Sequence, residues 1–436
     1  MEELLVVGGG IVERNERKME VFVVPTPLLT DFIEISLLGV VFLIGTPLNL
    51  TVLFKLVAEY RKRTAGGMMQ RDLGTSLTLM KAHLTVCNLL VLLLFCPFKI
   101  IWLATYQWMA GELMCRWAHS LWLFAFCASS NVVAVIAVDR MRLVYRFGRA
   151  QRGRVVVTSV ARNCLRFAKI MLGTAWAMAA VCSIPQQFVW TTVSIQLPSN
   201  RTWSQCTTVW QKQSACAQFN CIDRKNNTIQ TPPVSRLTYH MFHMVTVFWL
   251  PFALVLISYV YIVLELMRYV CCSYSALLRG PVSKYSDSSA SDEFALATVR
   301  THTSATDGSN SGERVSISRI NHLPMTQLNI ITKICPIERA SGAETTLLSE
   351  NGSVGKEKMQ PLWRSQMRSR MFRTSASIVG CYVLCWLPYN ILALGVEISR
   401  EWEEHISEHA EWIKWFVLLN ALLNPFLYGR RKDGCF

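Results

Sequence analysis

Seven apolar blocks govern what this chain can fold into. They run over Asp31–Val57, Met80–Tyr106, Glu112–Leu143, Phe167–Trp190, Tyr239–Val270, Arg370–Glu397 and Trp412–Gly429. About 20 apolar residues in a helix cross a hydrocarbon layer ~30 Å thick. Inside that layer every backbone N–H and C=O must find its partner within the protein, and a helix supplies those partners by itself. The expected fold is therefore all-α, a seven-transmembrane helix bundle. Charged residues are 17% of the chain, below the ~25% of a soluble domain. Six blocks carry a proline within or beside them: Pro47, Pro97, Pro185, Pro251, Pro388 and Pro425. Each would cost a soluble helix ~3 kcal/mol. In a bundle, neighbouring helices re-satisfy the freed carbonyls, and the kinks become hinges.

The net charge of +15 admits two readings, a nucleic-acid partner or basic cytoplasmic loops. The Lys and Arg fall between the blocks, which favours the loops and excludes nucleic acid. Arg61, Lys62, Arg63 and Arg71 follow the first block. Arg142, Arg146, Arg149, Arg152, Arg154 and Arg162 follow the third. Alternate loops are poorer in bases, so the positive-inside rule places the N-terminus outside and the C-terminus inside. The first thirty residues lack the basic start and unbroken apolar core of a signal peptide.

On this reading residues 1–30 are an extracellular segment and 31–270 hold helices one to five. Residues 271–365, rich in Ser, Thr, Gly and charge, form a disordered cytoplasmic loop. Residues 366–429 hold helices six and seven. Residues 430–436 are a tail with no room for an amphipathic eighth helix. The loop between blocks four and five carries the glycosylation sequons Asn200-Arg-Thr and Asn226-Asn-Thr. Cys115, Cys206, Cys216 and Cys221 lie in or beside polar loops and are disulfide candidates if those loops are extracellular. Their spacing does not suggest zinc, and neither a metal nor a cofactor is implied.

Polar groups recur at set depths within the blocks. Asp139-Arg140-Met141 closes the third. Asn49 stands in the first block, Asn88 in the second, Ser129 in the third and Trp176 in the fourth. Tyr259 lies toward the end of the fifth. The sixth carries Cys385-Trp386-Leu387-Pro388-Tyr389 and the seventh Asn420 with Asn424-Pro425-Phe426-Leu427-Tyr428. One asparagine in a span is readily explained as interhelical glue worth under ~1 kcal/mol. The whole series in this order is not. It resembles the rhodopsin-like G-protein-coupled receptors over about Phe32 to Tyr428. Within them, Lys81-Ala-His-Leu-Thr, Asn88-Leu-Leu, Trp102, Thr105, Gln107-Trp108, Ala110-Gly-Glu112 and Cys115 resemble the gonadotropin-releasing-hormone receptors and their adipokinetic-hormone and corazonin relatives.

That resemblance implies a multi-pass plasma-membrane receptor for a short amidated neuropeptide. It would activate a heterotrimeric G protein, usually of the phospholipase-C type. Cys115 would pair with Cys206; Cys216 and Cys221 remain candidates for a small loop disulfide that the family pattern does not supply. Trp386 and Pro388 would relay ligand binding to helix six. Arg140, freed from Asp139, would meet the G protein, with Tyr259, Asn424, Pro425 and Tyr428 completing the switch. Trp102, Phe126, His243, Tyr389, Asn390 and Lys414 are the expected pocket. Asn49, Asn88, Ser129 and Asn420 are the expected polar core.

The departures from the family pattern are specific. Arg368 stands where many members place Glu facing Arg140. Asn88 and Asn424 leave the polar core without an acid, so water and not sodium is expected there. Lys99 replaces an acid and Trp122 replaces a Lys. The rival readings are a receptor-like protein that only regulates a partner and a vasopressin/oxytocin-type receptor. A transporter would show inverted repeats. An intramembrane enzyme would need a catalytic constellation, and the spans contain none.

Overall fold

The computed structural model describes residues 29–65, 71–151, 164–197, 200–219, 221–222, 235–278, 370–398 and 416–429, with short pieces at 9–10, 21–22 and Val24. The first helix is Leu29–Ala65. The second runs through Arg71–Leu90, a π-helical turn Val91–Phe95 and Cys96–Thr105. The third is Gly111–Gln151 and the fourth Cys164–Ser183. The fifth runs through Arg236–Met244, a π turn Val245–Trp249 and Leu250–Leu278. The sixth is Arg370–Ile398 and the seventh Phe416–Gly429. Six of these are long and apolar enough to cross a membrane, and Phe416–Tyr428 is a shorter apolar helix. Of the fifth helix, Val263–Leu278 belongs to a second compact unit, where Arg268 pairs with Glu265 at 3.6 Å.

The helices extend beyond the apolar blocks. Arg61, Lys62 and Arg63 lie inside the first helix, and Arg71 opens the second. Charged side chains at a span's end reach the interface while their backbone stays helical. Both π turns end two residues before a proline, Pro97 and Pro251. A proline offers no N–H and crowds the preceding turn, and a wider turn absorbs both effects.

The fourth block departs from expectation. It does not continue as helix to Trp190. The helix ends at Ser183, a short turn of helix spans Gln186–Val189, and Trp190 opens a strand. Pro185 is the cause, since it cannot donate to the preceding turn. The all-α expectation also gains a hairpin: β1 (Trp190–Gln196) pairs antiparallel with β2 (Thr202–Thr208). Side chains of β1 alternate after Trp190, with Val193 and Ile195 buried and their neighbours less so. Asn200 sits in the turn at φ 56°, a backbone state asparagine tolerates.

The third helix is the axis of the core. Cys127, Ala128, Val132, Val133, Ile136 and Ala137 are fully covered. Its small residues let neighbouring backbones approach closely, the usual basis of helix packing where lipid supplies no hydrophobic drive. The hairpin has its own satellite core of Val193, Ile195, Trp203, Ala215, Cys216, Phe219 and Cys221.

Candidate functional site: a tethered cap, a polar spine and a buried ion pair

The hairpin is fastened to one end of the bundle. Cys115, one turn into the third helix, is disulfide-bonded to Cys206 on β2. A second disulfide joins Cys216 to Cys221. Hydrogen bonds add to the fastening. Trp108 N–H donates to the Ser204 carbonyl at 2.8 Å. Trp203 Nε1 donates to the Tyr106 carbonyl at 2.9 Å, and Thr191 Oγ1 to Glu112 at 3.0 Å. Gly111, at φ +78°, starts the third helix in a conformation costly for other residues.

Beneath the cap lies an aromatic cluster. Trp102 Nε1 donates to Gln205 Oε1 on β2. Its ring meets Trp108 edge-on at 5.3 Å and His119 edge-on at 6.0 Å, and lies parallel to Trp122 at 6.4 Å. His119 is stacked on Trp190 at 3.3 Å. Lys99 Nζ stands 5.2 Å over the Trp102 ring and 3.6 Å from Glu34 Oε1 on the first helix. Gln186 Oε1 accepts from both Trp190 Nε1 and Tyr239 Oη at 2.6 Å. An apolar cavity of about 250 Å³ borders Trp122, lined also by Leu94, Phe98, Met114, Trp117, Ala118 and Leu121. The expected pocket residues do not line it.

Those residues spread down the bundle. Trp102 is buried under the cap. His243 faces Tyr239 with ring centroids 6.3 Å apart. Phe126 meets Trp386 edge-on at 5.8 Å, and Phe248 stacks parallel to Trp386 at 6.4 Å. Asn390, buried, donates to the Trp386 carbonyl at 2.9 Å. Tyr389 is half-buried beside it and Pro388 is exposed. Lys414, Arg368 and Asn226 lie outside the described residues, and Asn200 is exposed.

A polar spine crosses the middle. Pro425 lacks an N–H, so the carbonyl four residues back, Ala421, has no helical donor. Asn49 of the first helix fills that role, donating Nδ2 to Ala421 O at 3.0 Å. Asn49 Oδ1 accepts from Asn88 Nδ2 at 3.2 Å, and Asn88 Oδ1 accepts from Asn424 Nδ2 at 3.5 Å. All three asparagines are essentially fully covered. Ser129 and Asn420 are buried too, but among the described residues neither is bonded to these three. His83 accepts from Trp176 Nε1 at 3.0 Å. No group of three His, Cys, Asp or Glu among the described residues is placed to hold a metal.

At the other end, Arg140 is ion-paired to its neighbour Asp139, with both buried. Asp139 Oδ1 and Arg140 Nε have no hydrogen-bond partner, nor do the hydroxyls of Tyr259 and Tyr428. Lys81 Nζ stands 5.4 Å over the Tyr428 ring. Glu34, His119, Gln186 and Gln205 were not among the residues singled out in sequence. Glu34 carried a usable signal: an acid in one span and Lys99 in the next are costly apart and cheap together.

Seven apolar helices around a buried polar spine, capped at one end by a disulfide-tethered hairpin, define a multi-pass membrane protein of the receptor type. The model of the family "7 transmembrane receptor (rhodopsin family)" matches residues 67–428, and the chain belongs to that family. It is thus a class A G-protein-coupled receptor of the plasma membrane and not an enzyme. It is 28% identical over 427 residues to "G-protein coupled receptor daf-38" of Caenorhabditis elegans, covering 93% of this chain and 90% of that one. It is 30% identical over 186 residues to the gonadotropin-releasing hormone receptor of Cavia porcellus and 28% to that of Homo sapiens. Those matches cover 42% of this chain and 52% of each hormone receptor.

Proposed function

We propose that this receptor binds a short amidated neuropeptide of gonadotropin-releasing-hormone or adipokinetic-hormone type at the capped end, outside the cell, and activates a heterotrimeric G protein at the Asp139–Arg140 end. Phospholipase C and calcium are the expected output. The observation that carries the reading is the buried Asp139–Arg140 pair, two adjacent charges held out of water in an apolar bundle. Such a pair is costly to bury and is retained where it works as a switch. A ligand shifts the switch only by binding one bundle arrangement better than the other.

Phe126 and Phe248 grip the Trp386 ring, so a ligand that presses on this aromatic layer bears on helix six beside Pro388. Outward movement of helix six would release Arg140, with Tyr259 and Tyr428 supplying hydroxyls to the open form. Without an acid at Arg368, Asp139 is the restraint on Arg140. Asn200 and Asn226 would carry glycans on the outer loop.

The test is a calcium and cyclic-AMP assay in cells expressing the receptor. The panel spans amidated peptides of the gonadotropin-releasing-hormone, adipokinetic-hormone, corazonin and vasopressin types, with Arg140→Ala as control. A dose-dependent calcium response lost in Arg140→Ala at equal surface expression supports the reading. Normal signalling by that variant sinks the role of Arg140. Silence across the panel from a receptor at the cell surface sinks the peptide assignment.

A further inference from the structure

Lys81 is a cation inside the second span, which runs over Gly74–Thr105. A lysine within a span is costly unless the bundle offers something to its charge, and one that is kept there marks function more often than packing. The seventh helix offers a ring: Lys81 Nζ stands 5.4 Å from the centroid of Tyr428, within reach of its π face. The pair lies just beyond the polar spine. Lys81 precedes Asn88 by about two turns and Tyr428 follows Asn424 by about one, and Asn424 donates to Asn88.

Tyr428 is thereby subject to two opposed pulls. Its ring is held by Lys81 and packs against the main buried core. Its hydroxyl has no hydrogen-bond partner among the described residues. Thr85 lies near that hydroxyl, but the Thr85 hydrogen goes to the Lys81 carbonyl at 2.9 Å. A covered hydroxyl without a partner raises the energy of the arrangement that holds it. The ring therefore favours the present arrangement, and the hydroxyl favours leaving it. Opposed preferences within one side chain give it two states that a ligand can bias.

We propose that Lys81 is a positioning residue that latches the receptor in its resting arrangement by holding the Tyr428 ring, and that activation takes Tyr428 off Lys81 so that its hydroxyl is bonded elsewhere. The proposal deepens the switch reading above and rests on it for its link to a G protein. Asp139 restrains Arg140 on the third helix, and Lys81 restrains Tyr428 on the seventh. The contact needs a cation on one side and a π face on the other. It carries over to Arg and to Phe, but not to Met or Leu.

The experiment measures amide hydrogen exchange over Arg370–Tyr382 of the sixth helix and Phe416–Gly429 of the seventh, in full-length receptor held in phospholipid nanodiscs without ligand. Exchange reports opening of these segments and needs neither agonist nor G protein. Lys81→Met should raise it by about two- to thirtyfold, the range spanned by one cation–π contact. Lys81→Arg should stay at the wild-type level. Tyr428→Phe keeps the ring and deletes the unbonded hydroxyl, so exchange should stay level or fall. Tyr428→Leu should match Lys81→Met, and the two together should exceed neither. Ligand-free nucleotide exchange on heterotrimers of every class is recorded beside it and should rise in Lys81→Met.

Where Lys81→Met fails to fold, Tyr428→Leu tests the same contact from the other side. Unchanged amide exchange in the variants that break the contact, a full further rise when Lys81→Met is added to Tyr428→Leu, or a rise in Lys81→Arg or Tyr428→Phe overturns the proposal. Faster amide exchange in Lys81→Met without nucleotide exchange on any heterotrimer would leave the latch standing and sink the coupling to a G protein.

Discussion

Asn49 offers the sharpest test of how the bundle is held together. Its Nδ2 satisfies the Ala421 carbonyl that Pro425 leaves free, and its Oδ1 accepts from Asn88. Interhelical hydrogen bonds in membranes average ~0.6 kcal/mol and reach ~1.7. Asn49→Ala breaks two of them, so the expected loss is about 1–3 kcal/mol. A particular coupling follows. In Pro425→Ala the new N–H of residue 425 can close the helical bond to Ala421 O, and the Asn49 donor becomes redundant. Asn49→Ala in that background should cost about half as much, the interhelical part of the loss being then the bond to Asn88 alone.

The four proteins of this cycle would be unfolded reversibly in mixed detergent micelles, and the two costs of Asn49→Ala compared. Any straightening of the seventh helix by Pro425→Ala is common to both of its members and cancels. Equal costs in the two backgrounds, within ~0.3 kcal/mol, would refute the idea that Asn49 stands in for the proline's missing donor. The predicted coupling of about 0.6 kcal/mol or more lies above that error.

Other positions give contrasting pairs. A Cβ on Gly45 would meet both Leu92 methyls at 3.2 Å, whereas one on Gly39 meets nothing within 4 Å; Gly45→Val should therefore destabilise by about 1–3 kcal/mol, with Gly39→Val near neutral in the same unfolding assay. The Cys115–Cys206 bridge spans 91 residues and Cys216–Cys221 only 5. Chain-entropy estimates for such loops are about 4–5 and about 2 kcal/mol, so Cys115→Ser should reduce surface expression far more than Cys216→Ser. Trp176→Phe removes the donor to His83 and should cost about 1 kcal/mol, and His83→Ala should add little on top of it in a double-mutant comparison. Equal effects within the glycine pair or the cysteine pair, or additive costs for Trp176→Phe and His83→Ala, would contradict the respective contacts.

Much of this receptor is local and was therefore readable in the chain. Apolar length decides a span because backbone pairing in lipid is settled within the helix, and six of the spans stand close to their expected places. Asp139 and Arg140 are neighbours in sequence, so their pairing needs no long-range information. The fourth block was misjudged at its end because Phe188, Val189 and Trp190 continue its apolar run past Pro185. Only the strand pairing reveals that Trp190 opens the hairpin of the cap, with Phe188 and Val189 in the short helix before it.

Partner choice belonged to the tertiary structure. Composition placed asparagines in the spans, but packing decided that Asn49 would meet a carbonyl 372 positions away and that Ser129 and Asn420 would stay out of the chain of bonds. The same holds for Glu34 with Lys99, Trp176 with His83, and Trp102 with Gln205. Hydropathy reports how far a residue lies from water. It does not report which helix face turns toward which neighbour, and at these positions the packed bundle alone brings donor and acceptor together.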